Sequence, residues 1–531
     1  MTVLPLRGFS SSSADRLGHD EKDAYENKVS EYFLHEREKF DARLSSEDLF
    51  LPFRWLAQPL KDFLIIEKQR LCRVDEKRVA VDHEQNPLTG YSHWYDIKDD
   101  RYDPSCMEPF PIKGYWVPKS EGDLFMSRDE DAYPFLRKTA LGVYCLFLVH
   151  PRSEALFAPL MDKFKHTEQV FMALALSSVR TLIVAMPSEG SSYTYQMVKV
   201  SLQDSLGGAV RVLHKKECGS SVRLSALFAK RPPLISFCPE DVSFVPDISL
   251  MSEGFDVSRA KGAGTIFRTL PSELSCRESD GFIIPLYSLL GSSNVSFLSL
   301  FISQSRLTPE DFIEHKILRP LAKIMLHQIC VQHVSLEIHA QNLLVKVSPS
   351  SDDVRIDFLY RDLGGVNLVM QPSDREHLPI HLLSDEFSWE QNYVKDAADV
   401  VEAFSFKVLF SFTKLFFNTE DLCSQSPRFN HWREEMQARD FGVNWIVTDG
   451  KDRHIDKVPL EKFCRYGYFE KRFGQFLVAE AYTLDCFAKD QEDKAHQRLQ
   501  ELLCRLQEPN TPFTQCHEIE WFHHFISSLL Q

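Results

Sequence analysis

Side chains able to hold a polyphosphate and a divalent cation are concentrated in one short stretch. Glu337, His339, Gln341 and Asn342 fall within six residues, and Asp362 follows twenty residues after Asn342. Carboxylate, amide and imidazole groups in such a cluster suit Mg²⁺ and phosphate, because Mg²⁺ favours carboxylate oxygens plus substrate phosphates over an all-protein cage. The intervening residues explain how the groups can meet. Residues 343–347 and 354–359 are apolar and β-branched, and 348–353 (Ser-Pro-Ser-Ser-Asp-Asp) is turn chemistry, so the spacing predicts a hairpin. With a rise of about 3.3 Å per residue, arms of equal length return Asp362 to Asn342 and His339. Gly364 and Gly365 then allow backbone to come close to a ligand.

The cations that a triphosphate requires must come from other elements. Residues 181–186 read as a buried strand preceded by Ser178 and Arg180, and 196–202 as another. In the second, Val198, Val200 and Leu202 share one face, which places Met197, Lys199 and Ser201 on the other. Arg211 follows shortly after. Arg180 and Arg211 offer flat forks and Lys199 a point charge, with Ser178 and Thr181 beside them.

Further elements must support these. Residues 22–44 read as an amphipathic first helix, 84–120 as Pro-, Gly- and Asp-rich loops, and Gly142–Val149 as a buried strand ending in His150-Pro151. Thr308-Pro309-Glu310-Asp311 opens a helix that Pro320 is expected to bend. From residue 380 onward the pattern is mainly helical, over 389–417, 460–473 and 490–506. The His, Cys and Glu residues of 516–524 sit among apolar residues at helical spacing, the pattern of a terminal amphipathic helix. The glycines of 252–264 make no Walker A loop, because Lys261 precedes Gly262 and Gly264.

At 531 residues the chain calls for two to four domains. The formal charge is 61 − 76 = −15, with no basic run to offset it, which argues against a nucleic-acid partner. Twelve scattered cysteines without a C-x-x-C pair fit reduced thiols in a cytoplasm. The most apolar helix, 397–417, carries Glu402, Lys407 and Lys414, so it reads as a core helix and no membrane partner is expected.

Taken in order, these residues resemble the IucA/IucC family of siderophore synthetases that work independently of non-ribosomal peptide synthetases. His150-Pro151 resembles the start of that family's His-Pro-Trp-Gln element, with Arg152-Ser153 in place of Trp-Gln, and Ser178-Val179-Arg180-Thr181 resembles its S-x-R-T. Lys199-Val200-Ser201-Leu202 with Arg211 resembles its K-L-S-L strand and the arginine twelve residues on. Phe267-Arg268-Thr269-Leu270-Pro271 is similar to L-R-x-x-P, and Glu337 to Asn342 with Arg361-Asp362 is similar to E-x-H-x-Q-N and R-D. The match spans about residues 140–415.

The resemblance implies a mixed α+β fold shaped as a cupped hand, with ATP between fingers and palm. Residues 1–140 would be thumb-like, 141–310 the β-rich fingers and 311–531 the palm. Ser178, Arg180, Thr181, Lys199, Arg211, His339, Gln341 and Asn342 would bind ATP, with His339, Lys199 and Arg211 catalytic and Glu337 and Asp362 serving Mg²⁺. The implied activity is an AMP-forming ligase that joins a polycarboxylate, such as citrate, to an amine or hydroxyl through an acyl-adenylate. Homodimers belong to the same expectation.

Two other readings stand beside it. Residues 1–140 carry no counterpart of the family's paired His-Pro phosphate loop, which favours a degenerate member that binds ATP or a partner without turnover. His339 to Asn342 with Asp357 superficially resembles a small-molecule kinase, but Ala340 and Gln341 stand where a catalytic aspartate is needed. Products separate the three: AMP with pyrophosphate, neither, or ADP.

Overall fold

In the computed structural model the described residues are 34–75, 106–128, 133–176, 178–188, 192–203, 205–206, 209–253, 262–275, 282–286, 309–328, 334–336, 342–349, 354–369, 393–394, 442–448 and 453–459, with isolated positions at 102, 301, 305, 307 and 332. Glu337, His339 and Gln341 lie outside them, as do the helices expected over 460–473 and 490–506 and the segment 516–524; of the helix expected over 389–417 the described part, Tyr393–Val394, is a short strand instead, paired with Leu368–Val369.

The N-terminal part supplies α1 (34–46) and α2 (Gln58–Asp75). Phe40 and Leu44 of α1 are buried, as the amphipathic spacing requires. The strands that follow are β1 (Phe110–Pro118), β2 (Gly122–Met126), β3 (Leu136–Thr139), β4 (Gly142–Val149), β5 (Gln169–Ala175), β6 (Thr181–Pro187) and β7 (Tyr193–Val200), with helix α3 (Ala158–Lys163) between β4 and β5. Next come the ribbon β8 (Ser205–Leu206) and β9 (Ala209–Val210), helix α4 (Lys215–Lys230), then β10 (Ser236–Phe237), β11 (Glu240–Pro246) and β12 (Thr265–Arg268). Nine of these strands form one antiparallel sheet in the order β2-β11-β12-β7-β6-β5-β1-β4-β3. The fold is therefore a mixture of helix and strand built around this sheet.

Both faces of the sheet are covered. Leu146, Leu148, Leu182, Val184, Val198 and Val200 pack on one side, while Tyr115, Val117, Phe147, Val149 and Phe244 pack on the other. Period-two alternation thus yields near-continuous apolar runs in β4 and β6 rather than a wet face. Helix α4 lies against β11 and β2.

The chain enters this sheet earlier than its prolines suggest. Residues 110–118 read as loop, yet they form β1, whose two pairings are staggered: β5 pairs with Phe110–Gly114 and β4 with Lys113–Pro118. Pro111 and Pro118 each lie where a single neighbour pairs, positions that tolerate a missing N–H. The expected boundary at residue 140 consequently falls inside the sheet, since β1 lies between β4 and β5 and β3 beside β4.

A second sheet carries the predicted hairpin. After α5 (Ser272–Ser275) and β13 (Phe282–Pro285) comes α6, built from successive stretches Pro309–Phe312, Ile313–Leu318 and Arg319–Leu326, then β14 (Val334–Ser335), β15 (Leu343–Pro349) and β16 (Val354–Tyr360). The middle stretch of α6 is π-helical and leads directly to Pro320, whose missing N–H and ring disturb the regular α ladder. Strands β15 and β16 pair antiparallel from Leu343↔Tyr360 to Pro349↔Val354. The sheet order is β10-β16-β15-β13, so residues before 310 belong structurally with the hairpin. Small strands β17 (Asn367–Val369) and β18 (Tyr393–Val394) join β14. A further hairpin, β19 (Gly442–Thr448) and β20 (Arg453–Pro459), interrupts the region read as helical. Its signal is present as alternation in β19 followed by Asp449-Gly450.

Gly122 shows how closely β2 and β11 approach. A Cβ there would lie 2.8 Å from both Pro246 Cα and the Phe244 ring. Gly122→Ala is expected to cost about 1–3 kcal/mol, as forced overpacking does, and urea unfolding checks it.

Candidate functional site

Strand alternation brings the first set of candidates together. Thr181 pairs with Lys199 across β6 and β7, and Ile266 with Lys199 across β7 and β12, so Arg268 lies diagonally from Lys199 on the same face. Val198 and Phe267 face the opposite way, into the core. Lys199 is thereby pressed beneath the first turn of α4 and the turn that follows β16.

Its ammonium meets two carboxylates there. Lys199 Nζ donates to Glu217 Oε1 at 2.8 Å and to Asp362 Oδ1 and Oδ2 at 2.9 and 3.0 Å. The Lys199 side chain is 4% exposed, and those of Glu217 and Asp362 retain 13% and 28%. Arg180 Nη2 stands 3.7 Å from Glu217 Oε1, while Arg180 Nη1 donates to the Arg211 carbonyl at 2.9 Å. On the far side Arg268 Nη2 lies 3.8 Å from Asp362 Oδ1, and its fork is engaged by the buried Glu240 carboxylate.

Two non-glycine residues here adopt left-handed backbone. Val179, between Ser178 and Arg180, has φ 63°, and Asp362 has φ 74°. A β-branched residue at positive φ is a steric outlier, and such strain persists only where surrounding contacts over-determine it. Val179 is buried, and the Ser178 hydroxyl donates to Thr181 Oγ1 at 2.7 Å across the turn. Around Asp362, Tyr360 Oη donates to the Asp362 carbonyl at 2.9 Å, and Arg361 N donates to the carbonyl of buried Asn342 at 2.8 Å. The hairpin thus returns Asp362 to Asn342 as its spacing required.

Gly364 permits the close approach of α4. A Cβ on it would meet Glu217 Cγ at 3.1 Å and Oε1 at 3.2 Å. In this structure the glycine accommodates the neighbouring glutamate.

Electrostatics follow from this packing. Burial disfavours the Lys199 ammonium, but Asp362 and Glu217 outweigh it and raise its pKa above the usual lysine value. Burial likewise opposes ionisation of Asp362, and Lys199 and Arg268 more than compensate, holding the carboxyl well below the usual range. Glu217 is also lowered, with Lys199 and then Arg180 overcoming its burial. Lys199, Asp362 and Glu217 are therefore all charged at neutral pH.

Of the residues singled out in the sequence, Ser178, Arg180, Thr181, Lys199, Arg211, Asn342 and Asp362 come from segments that converge here. Glu217, Glu240 and Arg268 were not singled out as site residues. Glu217 had a faint signal as the acid in the first turn of α4 behind Lys215 and Lys216, but only the docking of that helix brings it to Lys199. The Asp362 carboxylate is a hard oxygen donor of the kind Mg²⁺ takes, but both its oxygens accept from Lys199 Nζ, and no group of three acidic, histidine or cysteine side chains among the described residues is placed to hold a metal ion.

No protein-family model matches the chain, and no curated protein matches it. Among solved structures it is similar to aerobactin synthetase IucC from a hypervirulent pathotype of Klebsiella pneumoniae, at TM-score 0.46 and 14% identity, covering 90% of this chain and 81% of that one. It is also similar to the petrobactin biosynthesis protein AsbB from Bacillus anthracis str. Sterne, at TM-score 0.44 and 14% identity, over 78% and 82% of the two chains. ATP-bound aerobactin synthetase IucA from the same Klebsiella pneumoniae pathotype gives TM-score 0.42 and 16% identity, over 77% and 79%.

Two measurements test the buried charges. Removing the cation leaves two carboxylates face to face, so Lys199→Ala should cost on the order of 3 kcal/mol, and adding Glu217→Gln should restore part of it, both read by urea unfolding. Asp362 and Glu217 titrate lower folded than unfolded, so the stability they contribute is complete above the unfolded value of about 4 and is lost as pH falls below it. The melting temperature should therefore drop steeply below about pH 4, and less steeply in Asp362→Asn.

Proposed function

We propose that this chain is an ATP-dependent ligase of siderophore biosynthesis that activates a polycarboxylate as an acyl-adenylate and transfers it to an amine or hydroxyl. The observation carrying this reading is the Lys199–Asp362 ion pair. It joins residues 163 positions apart and lays the Ser178-to-Arg211 stretch against the end of the hairpin, the two regions whose motifs resemble the family. In this reading ATP lies between fingers and palm, with residues 1–140 as thumb, 141–310 as fingers and 311–531 as palm, and with residues 110–139 contributing strands to the fingers.

The roles follow from the chemistry. The first step brings one anion onto another: a substrate carboxylate attacks the α-phosphate, forming a C–O–P bond as pyrophosphate departs. The amine or hydroxyl then attacks the acyl carbon and AMP leaves. Lys199, Arg180 and Arg211 would draw the phosphates in line, Ser178 and Thr181 would offer hydroxyls, and His339, Gln341 and Asn342 would face them from the hairpin. Asp362 and Glu337 are the carboxylates that would hold Mg²⁺, and the ion would supply positive charge beside the phosphates. A homodimer in a cytoplasmic setting belongs to the same proposal.

The test is incubation with ATP, Mg²⁺ and hydroxylamine against a panel including citrate and α-ketoglutarate. Acid-dependent hydroxamate together with pyrophosphate supports the ligase, ADP points to a kinase, and ATP binding without either product to a non-catalytic member. Asp362→Asn should lower acid-dependent pyrophosphate release by on the order of a hundredfold, as loss of a transition-state charge partner does. Release at the parent rate would put the site elsewhere.

A further inference from the structure

The charges that meet where α4 docks on the sheet cancel one another. Arg180, Lys199 and Arg268 stand against Glu217, Asp362 and Glu240. A polyphosphate drawn to Lys199 and Arg180 therefore enters a cluster with no surplus of positive charge. Two carboxylates already grip the ammonium it would pair with, and like charges set side by side oppose binding.

One of those carboxylates is held less firmly than the other. Asp362 accepts from Lys199 Nζ through both oxygens, at 2.9 and 3.0 Å, and its Oδ1 also accepts from Gly364 N at 3.4 Å. Its main chain is tied too, because Tyr360 Oη donates to its carbonyl. Although Asp362 is the more exposed of the two, it is anchored at both ends. Glu217 meets Lys199 through Oε1 at 2.8 Å, and the same oxygen lies 3.7 Å from Arg180 Nη2, beyond hydrogen-bond reach. Its stem has one more rotatable bond than that of an aspartate, and it projects from the first turn of α4 with part of the side chain in solvent.

An exchange at this point keeps Lys199 paired. The ammonium is almost wholly buried and requires a counter-charge. A phosphate oxygen accepts from an ammonium or a guanidinium as a carboxylate does, so it can take over the Glu217 position while Glu217 turns out to water.

We propose that Glu217 is a built-in competitor for the phosphate site: its carboxylate holds the anion position between Lys199 and Arg180, and a polyphosphate binds there by displacing it. The proposal rests on the nucleotide-site reading above and adds the regulation of that site. Asp362 remains on Lys199 throughout, and the contact of α4 with the sheet sets how tightly the anion is held.

The test is calorimetric binding of inorganic pyrophosphate and of ATP to the full chain, in EDTA at constant ionic strength. Glu217→Gln should bind both about tenfold more tightly than the parent, since a like charge has been removed from the anion position. Damage to the fold would weaken binding instead. Parental or weaker affinity in Glu217→Gln overturns the proposal, as does failure of both proteins to bind pyrophosphate at millimolar concentration. Where Glu217→Gln does not fold, a structure of the parent with pyrophosphate decides: Glu217 turned away from Lys199 supports the proposal, and Glu217 still within hydrogen-bond distance of it overturns it. The ligase reading fails separately. Tighter pyrophosphate binding in Glu217→Gln, without acid-dependent pyrophosphate release from ATP in the parent, supports the competitor and removes the ligase.

Discussion

A lysine ammonium taken out of water beneath a helix is the constraint on which the surrounding arrangement depends. Desolvating such an ion costs several kcal/mol, and only close, well-directed counter-charges offset that. Lys199 has two, Glu217 from α4 and Asp362 from the turn after β16. The sheet, the helix and the hairpin must therefore all arrive at one point. The Gly364 position enforces the fit, since any side chain there would crowd Glu217.

The nine-stranded sheet makes this convergence possible through its alternation. Because apolar residues cover both faces, a cation placed on β7 cannot reach open water and has to be matched locally. Arg268 on the adjacent strand repeats the solution with Glu240, and it extends the network to the same Asp362 oxygen. Arg180, Lys199 and Arg268 thus stand against Glu217, Asp362 and Glu240, three charges of each sign. Packed in this way, each charge is held in a fixed direction by its opposite. Asp362 keeps the largest exposure of the Lys199 triad and is its opening toward solvent.

Much of this was legible in the residues. Turn chemistry between two apolar runs specified the hairpin, and period-two spacing separated Lys199 from Val198 and Val200, because side-chain direction in a strand is a local property. Loop signals from proline were misleading at Pro111 and Pro118, where staggered pairing leaves one edge of β1 unpaired at each end. The hairpin of β19 and β20 carried its own signal in Asp449-Gly450, which the helical reading of the surrounding region overlooked.

By itself the sequence determined which strands alternate, where the hairpin turns and which polar residues stand near its mouth, since each depends on neighbours a few positions away. Only the tertiary structure decided that Glu217, Glu240 and Arg268 join Lys199 and Asp362, and that Glu67 reaches Arg361 across 294 positions. No local pattern marks a carboxylate as the partner of a particular cation. The choice is made when burial removes water and leaves each charge to the nearest opposite one that the packing supplies.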